Sequence, residues 1–304
     1  MALLRAFFVA LLPSASDAIF KTTCKTFAFA AMDPIVSPKA RSSHEHSIGG
    51  SLGFDVETNA AKMIYNRSTC DIVGDHSNYW FPSMFRTDSG AKLRLKPIII
   101  AYYEMFSAEE ALIDPTLVGK IPIDMVVGHS TGDPTMANIE IYCRNKDGAL
   151  IKSPERGWHP TMPGCYQVRI DFTFPSCWNG KHYAADQSHV AYPIGYPDKN
   201  EAPSECPLSH PKKFMQLRLQ QRYELGSNPA RWSGGQAPFV FASGGITTAH
   251  ADVSMLWDVP TLVHLLTTCR GPIESCKYTG IKLLSIDTQN AIAAKYVVPK
   301  AYLP

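Results

Sequence analysis

Histidine is the side chain best suited to proton transfer near neutral pH, and it is also the commonest metal ligand. Two pairs of residues draw the eye on that basis. His44 and His46 stand two apart in "SSHEHSIGG", and His250 stands two residues before Asp252 in "TAHADVSMLWD". In an extended backbone, residues i and i+2 project to the same side, so each pair shares a face. Two imidazoles on one face can divide acid–base work between them. A carboxylate beside an imidazole can fix its tautomer and raise its basicity.

Other residues join the candidate list. His189 lies in "SHVAYP", where a buried, hydrogen-bonded histidine is the competing reading. Asp33 and Asp75 can add carboxylates. Asn78, Tyr79 and Trp80 offer a polar and aromatic wall for a ligand, with core packing as the ordinary alternative for the two rings. The expected catalytic set is therefore His44, His46, His189, His250, Asp33, Asp75 and Asp252. No cofactor or metal is expected. Metal ligation by His44, His46 and one of His189 or His250 is the lesser reading, because no helical H-E-x-x-H supports it. The chain has no G-x-S-x-G elbow, no glycine-rich phosphate loop and no dinucleotide fingerprint.

These residues need a scaffold. The 304 residues, 45% of them hydrophobic and 18% charged, suffice for a substantial core. A net charge of +2 with scattered lysines excludes a nucleic-acid partner. "MALLRAFFVALLPSASDA" reads as a secretory signal peptide covering residues 1–18, too short in its apolar run to span a bilayer. No integral membrane segment is expected after its removal, and residues 19–304 are read as a single domain. The eight cysteines all lie beyond the proposed cleavage point, as disulfides in a secreted protein would. Cys177 with Cys206, and Cys269 with Cys276, are the two guessed pairs, each closing a modest loop. Asn66-Arg67-Ser68 is a glycosylation sequon.

"KLRLKPIIIAYYEMF", "IPIDMVVGH", "ANIEIYCR", "YQVRIDFTF", "FMQLRLQQRYEL" and "PFVFAS" have the branched or alternating character of strands. "DVPTLVHLLTTC" is the clearest helix, with Asp258 as cap and Pro260 in the first turn. The expected fold is mainly β: an antiparallel β-sandwich or jelly-roll-like domain with long disulfide-tied loops and a C-terminal helix. The histidine-bearing segments read as polar punctuation between the strands.

Taken together, those segments resemble a fungal secreted family known only as a domain of unknown function, number nineteen-ninety-six. The resemblance runs through Asp33 to Pro38, then Ser42, His44 and His46, then Asp75 to Pro82. It continues through Cys177, Trp178, His189 and Pro193, through Cys206 to Pro211, and ends at His250 and Asp252. Lys39 stands where that family usually has Gly, Asn179 where it has Asp, and Val73 where a second Cys is expected. Asp124 occupies the place of a usual Arg, and "DVSMLW" replaces "D-F-x-N-G-W". The resemblance implies a secreted fungal protein and names no reaction.

Three functions are compatible with this sequence. The first is a cofactor-independent acid–base enzyme of lyase or cyclase type, acting on a small-molecule metabolite, as in a specialised biosynthetic pathway. The second is an extracellular polysaccharide-active hydrolase or lyase, and the third a non-catalytic cell-wall or surface-binding protein. The expected partner is accordingly a small-molecule or carbohydrate substrate.

Overall fold

A computed structural model describes residues 18–88, 90–105, 123–132, 136–153, 164–181, 186–195, 205–231, 237–269, 273 and 276–304. The signal-peptide reading of residues 1–18 lies almost wholly outside them.

The strands are β1 (Ala18–Ala30), β2 (His46–Gly50), β3 (Asn78–Pro82), β4 (Met84–Arg86), β5 (Leu93–Arg94) and β6 (Ile98–Met105). Next come β7 (Ile123–Gly128), β8 (Ile139–Arg144), β9 (Leu150–Lys152), β10 (Gln167–Thr173) and β11 (Cys177–Trp178). The last are β12 (Val190–Ala191), β13 (Lys212–Lys213), β14 (Gln216–Glu224), β15 (Phe239–Phe241) and β16 (His250–Met255). Among the described residues three α-helices accompany them: α1 (Ala60–Tyr65), α2 (Val259–Thr268) and α3 (Ile286–Ala293).

The fold is mainly β and antiparallel. Ten strands form one sheet in the order β7-β16-β3-β2-β1-β6-β14-β10-β8-β9, and two small three-stranded sheets flank it. Strand β1 is the spine. Its first half pairs with β6 and its second half with β2, with an irregularity between Thr26 and Ala28 where it passes from one partner to the other. The large sheet curls about this strand, and both arms contribute to one core: Tyr79, Met125 and Val253 from one, Ile141, Ile170 and Leu219 from the other. The sandwich expected from alternation is thus realised by a single curled sheet.

The outer faces of the two arms differ. Beyond β6, Glu104, Arg169, Asp171 and Arg218 form an ion-paired surface. On the other arm, Ala28, Ala30, Ile48 and Trp80 are covered by Met32, Ile35 and Phe54 from the crossing loops and by Tyr296, Val298 and Tyr302 from the C-terminal segment. Trp80 is fully buried. Burial of each large apolar side chain in this second core is worth about 1.5–3 kcal/mol. The C-terminal segment is tied down by Ala31 N–H to the Tyr302 carbonyl (3.0 Å) and by Arg41 to the carbonyls of Ala301 and Leu303 (2.7 and 2.9 Å).

Helix α2 matches its sequence reading: Asp258 accepts from Thr261 N–H, Pro260 occupies the first turn, and Leu262, Leu265 and Leu266 are buried. The eight cysteines pair as Cys24–Cys70, Cys143–Cys165, Cys177–Cys206 and Cys269–Cys276, which includes both guessed pairs. Since every cysteine is bonded, Val73 in the place of a cysteine leaves no odd thiol. Four disulfides are characteristic of oxidising compartments. No helix among the described residues is long and apolar enough to cross a membrane.

The backbone at Lys39 explains why glycine is expected there, and nothing in the structure explains the lysine. Its φ is 61°, in the left-handed region that a side chain disfavours. Asn179 accepts from Lys181 N–H through Oδ1 and donates through Nδ2 to the Ser188 carbonyl, and a carboxylate could not make the second bond.

Candidate functional site

His46 and His250 each open a strand, β2 and β16, which corrects the reading of those two segments as punctuation, while His44 stays in the loop before β2 and His189 in the turn before β12. β2, β3 and β16 lie side by side in one arm. Both faces of that arm are buried, so its alternation is apolar against polar-within-cover, and no exposed polar face announces a strand. On β16, Ala251, Val253 and Met255 enter the main core, while His250, Asp252 and Ser254 point to the covered face. Pairing places His46 opposite Pro82, Asp252 opposite Trp80 and Val126, and His250 opposite Gly128. Two glycines shape these strand ends. Gly50 (φ 101°) would drive a Cβ to 2.0 Å from the Ser77 carbonyl oxygen, and Gly128 (φ 83°) would drive one to 2.3 Å from that of Ala249.

His44, His46 and His250 converge. Their ring centroids lie 4.3, 4.9 and 5.7 Å apart in the pairs 44–46, 44–250 and 46–250. One nitrogen from each lies within 4.8 Å of the other two. The hydrogen bonds assign the tautomers. His250 Nδ1 faces the Thr248 carbonyl at 2.8 Å and must donate to it. Neutral His250 therefore presents a lone pair at Nε2. His44 Nε2, 3.1 Å away, donates to that lone pair. His44 Nδ1 is then an acceptor and receives the Ser43 hydroxyl at 3.1 Å.

His46 is fully buried, and neither ring nitrogen has a hydrogen-bond partner. The Met32 carbonyl lies near enough to draw its pKa up, though outside hydrogen-bond geometry. Burial dominates the titration of all three rings. It lowers His44, lowers His46 far more with help from its histidine neighbours, and pushes His250 down to about 3. The cluster is neutral at physiological pH.

Asp252 is fully buried with both carboxylate oxygens unpartnered. Its Oδ2 is 4.0 Å from His250 Nε2, beyond hydrogen-bond reach. Burial, reinforced by the charge of Asp33, raises its pKa well above the carboxylate range. Asp33 accepts from Ile35 N–H and Val36 N–H at 3.1 Å each, and its pKa is raised by burial despite them.

The cluster opens into a cleft of about 520 Å³. His44 and His250 stand in its wall with Asp33, Ser43, His129 and Tyr192. His44 is half-buried and His250 buried in that wall, and His46 is not part of the lining.

The remaining candidates are elsewhere. Asp75 is sealed on the core side of the sheet, where it accepts from Tyr79 Oη–H and Ser77 N–H at 3.0 Å each. Tyr79 packs beside it in the main core, and Trp80 packs in the second core. Asn78 is buried and donates to the Ser51 carbonyl. None of these three forms a wall of the cleft. His189 is buried and donates through Nε2 to the Asp124 carbonyl at 2.7 Å, a structural role. Asp124 itself, in place of the usual Arg, accepts from Ser254 Oγ at 2.6 Å, and burial raises its pKa to about 6. Sequence reasoning did not find Ser43 or the Thr248 carbonyl. The first is an ordinary loop serine, and the second is backbone, which carries no sequence signal.

No curated protein and no solved structure matches the chain. A family model, described as a domain of unknown function, matches residues 33–257. The matched span begins at the aspartate that feels Asp252 and runs past β16, so it contains the whole histidine cluster. With most of its length inside that match, the chain belongs to the DUF1996 family.

Proposed function

We propose that the protein is a secretory-pathway enzyme that moves protons on a polar small molecule held in the histidine cleft. The observation that carries this reading is the convergence of three neutral imidazoles, two of them lining a cavity of about 520 Å³. That volume falls in the range typical of small-molecule sites. A dehydration or cyclising elimination balances there with no outside reactant. The histidine end of the cleft takes a proton from carbon, the C–O bond electrons leave with oxygen, and the proton is returned to it as water or alcohol.

Secretion is supported by the apolar leader at residues 1–18 and by the four disulfides. Asn66 is exposed, as a glycan acceptor must be. The resemblance of the sequence to a fungal secreted family fits the same compartment. The cleft favours a small molecule over a polysaccharide because Tyr192 is its one aromatic lining residue among those described. Sugar polymers are commonly held against several aromatic faces.

The test is turnover. Purified protein and its His44→Ala variant are incubated with a panel of hydroxylated small molecules and with soluble oligosaccharides, and products are followed by mass spectrometry. Conversion of a small molecule that is lost in His44→Ala supports the proposal. Conversion undiminished in the variant, saturable binding without product, or oligosaccharide cleavage alone would overturn it.

A further inference from the structure

The geometry points to a single divalent transition-metal ion, of the zinc or copper kind, bound by His44, His46 and His250 with Asp252 as the compensating anion. This inference takes its location from the active-site reading above and adds what the histidines hold there.

Four features support it. First, His250 is already oriented as a ligand. Its Nδ1–H is spent on the Thr248 carbonyl and its Nε2 lone pair faces the cluster. Metal-bound histidines ordinarily anchor their second nitrogen in this way. Second, His44 Nε2 and His250 Nε2 are 3.1 Å apart. Tetrahedral ligands with bonds of about 2.0–2.1 Å stand roughly 3.4 Å from one another, so the two nitrogens are nearly at ligand spacing. Loss of the His44 Nε2 proton to its Nδ1 frees the second lone pair, and Ser43 Oγ can then accept where it had donated.

Third, His46 is fully buried with no hydrogen-bond partner for either nitrogen. An unpaired buried polar group is costly, and coordination would satisfy one of the two nitrogens. Fourth, the Asp252 carboxylate is fully buried, unpaired, and 4.0 Å from His250 Nε2. A cation at the cluster would favour the ionised form of that carboxyl and give it a partner. Three imidazole nitrogens with a carboxylate nearby suit zinc or copper rather than magnesium or calcium, which prefer oxygen.

Ligation needs neutral imidazole, the form that the hydrogen bonds of His250 and His44 already describe. An ion held by His44, His46 and His250 would supply Lewis-acid polarisation at the head of the cleft, where His44 and His250 stand in the wall.

The second cluster of potential ligands, Cys24, Cys70 and Asp75, carries no such proposal, because the two cysteines are joined to each other.

The experiment uses the full secreted chain, stripped with chelator and then titrated calorimetrically with Zn²⁺ or Cu²⁺, with elemental analysis after desalting. One retained ion per chain is expected. His44→Ala, His46→Ala and His250→Ala should each weaken binding by about 100-fold or more, and Asp252→Asn by about 10- to 100-fold. His264→Ala, on α2, should bind as the wild type does. His44 is half-buried, so its variant keeps the test open if the His46 variant fails to fold. No retained ion, or equal affinity in wild type and His44→Ala, would overturn the inference. The two proposals fail separately. Turnover abolished by His44→Ala without any bound ion removes the metal and leaves the active site. A bound ion with turnover unaffected by His44→Ala does the reverse.

Discussion

Asp75 should make the fold more stable in mild acid than in mild base, and replacing it with asparagine should remove that dependence. Its carboxyl is sealed in the main core, where burial raises its pKa from 3.8 to about 7. The folded state therefore binds its proton more tightly than the unfolded chain does. Between the two values the folded state holds more protons, so stability falls as pH rises and levels off above about 7. Only the part of that window between pH 5 and pH 7 contributes to a comparison of pH 5 with pH 8. Two units at 1.36 kcal/mol each give about 3 kcal/mol. An asparagine here would keep the acceptor for Ser77 N–H and would match the shape of the protonated acid. Tyr79 Oη–H, relieved of Asp75, can turn to Tyr103 Oη at 2.5 Å. Other buried carboxyls, among them Asp124 with a pKa of about 6, titrate in the same range, so the difference between the two proteins isolates Asp75. Urea denaturation of wild type and Asp75→Asn at pH 5 and pH 8 gives the four free energies needed. The variant's advantage should grow by about 3 kcal/mol on going to pH 8. An unchanged difference across that range would show that the carboxyl is hydrated and the buried network wrongly placed.

Three further outcomes follow from the same structure. Lys39→Gly should stabilise the protein by about 0.5–1 kcal/mol in thermal denaturation, since relief of the left-handed backbone outweighs the added flexibility of the unfolded chain; destabilisation would mean that its exposed pairing with Glu57 matters more. Removing residues 296–304 should expose the second core, giving increased binding of a hydrophobic dye and loss of the cleft's ligand, while the four disulfides still form; an unchanged dye signal would contradict the covering role of Tyr296, Val298 and Tyr302. Gly128→Ala should lower the melting temperature and distort the His250 end of β16, because its Cβ has no room beside the Ala249 carbonyl; a wild-type melting curve would refute that contact.

Much of this architecture was legible where one face of a strand meets water. β10 alternates polar and apolar residues in sequence and β14 does so from Gln216 to Gln220, and α2 carries its cap, its proline and its leucine stripe in the expected places. Legibility fails on the other arm. In β2, β3 and β16 every residue is buried, so hydrophilic side chains sit inside the protein and mimic a loop. The site was half visible for the same reason. The i, i+2 spacing of His44 and His46 and of His250 and Asp252 did put each pair on one face. What brings the two pairs together is the order of strands in the sheet, which no local pattern encodes. Asp75 and His189 were included among the catalytic candidates because their types suit chemistry. The fold uses one as a core acid bonded to Tyr79 and the other as a donor to the Asp124 carbonyl. Helix α3 was missed because it is short and half polar, and its docking depends on Gln289 donating to the carbonyls of Thr23 and Thr69.

The claim on which the functional reading depends is that His44, His46 and His250 form one desolvated, neutral cluster. Long-range proton–nitrogen NMR of the imidazoles in metal-free protein, followed from pH 7 to pH 5, tests it directly. The account predicts that His46 and His250 stay neutral throughout, that His250 carries its proton on Nδ1, and that His44→Ala shifts the ring nitrogens of both others. Rings that take up protons independently near the ordinary histidine value of 6.5, each indifferent to the loss of its neighbour, would contradict it.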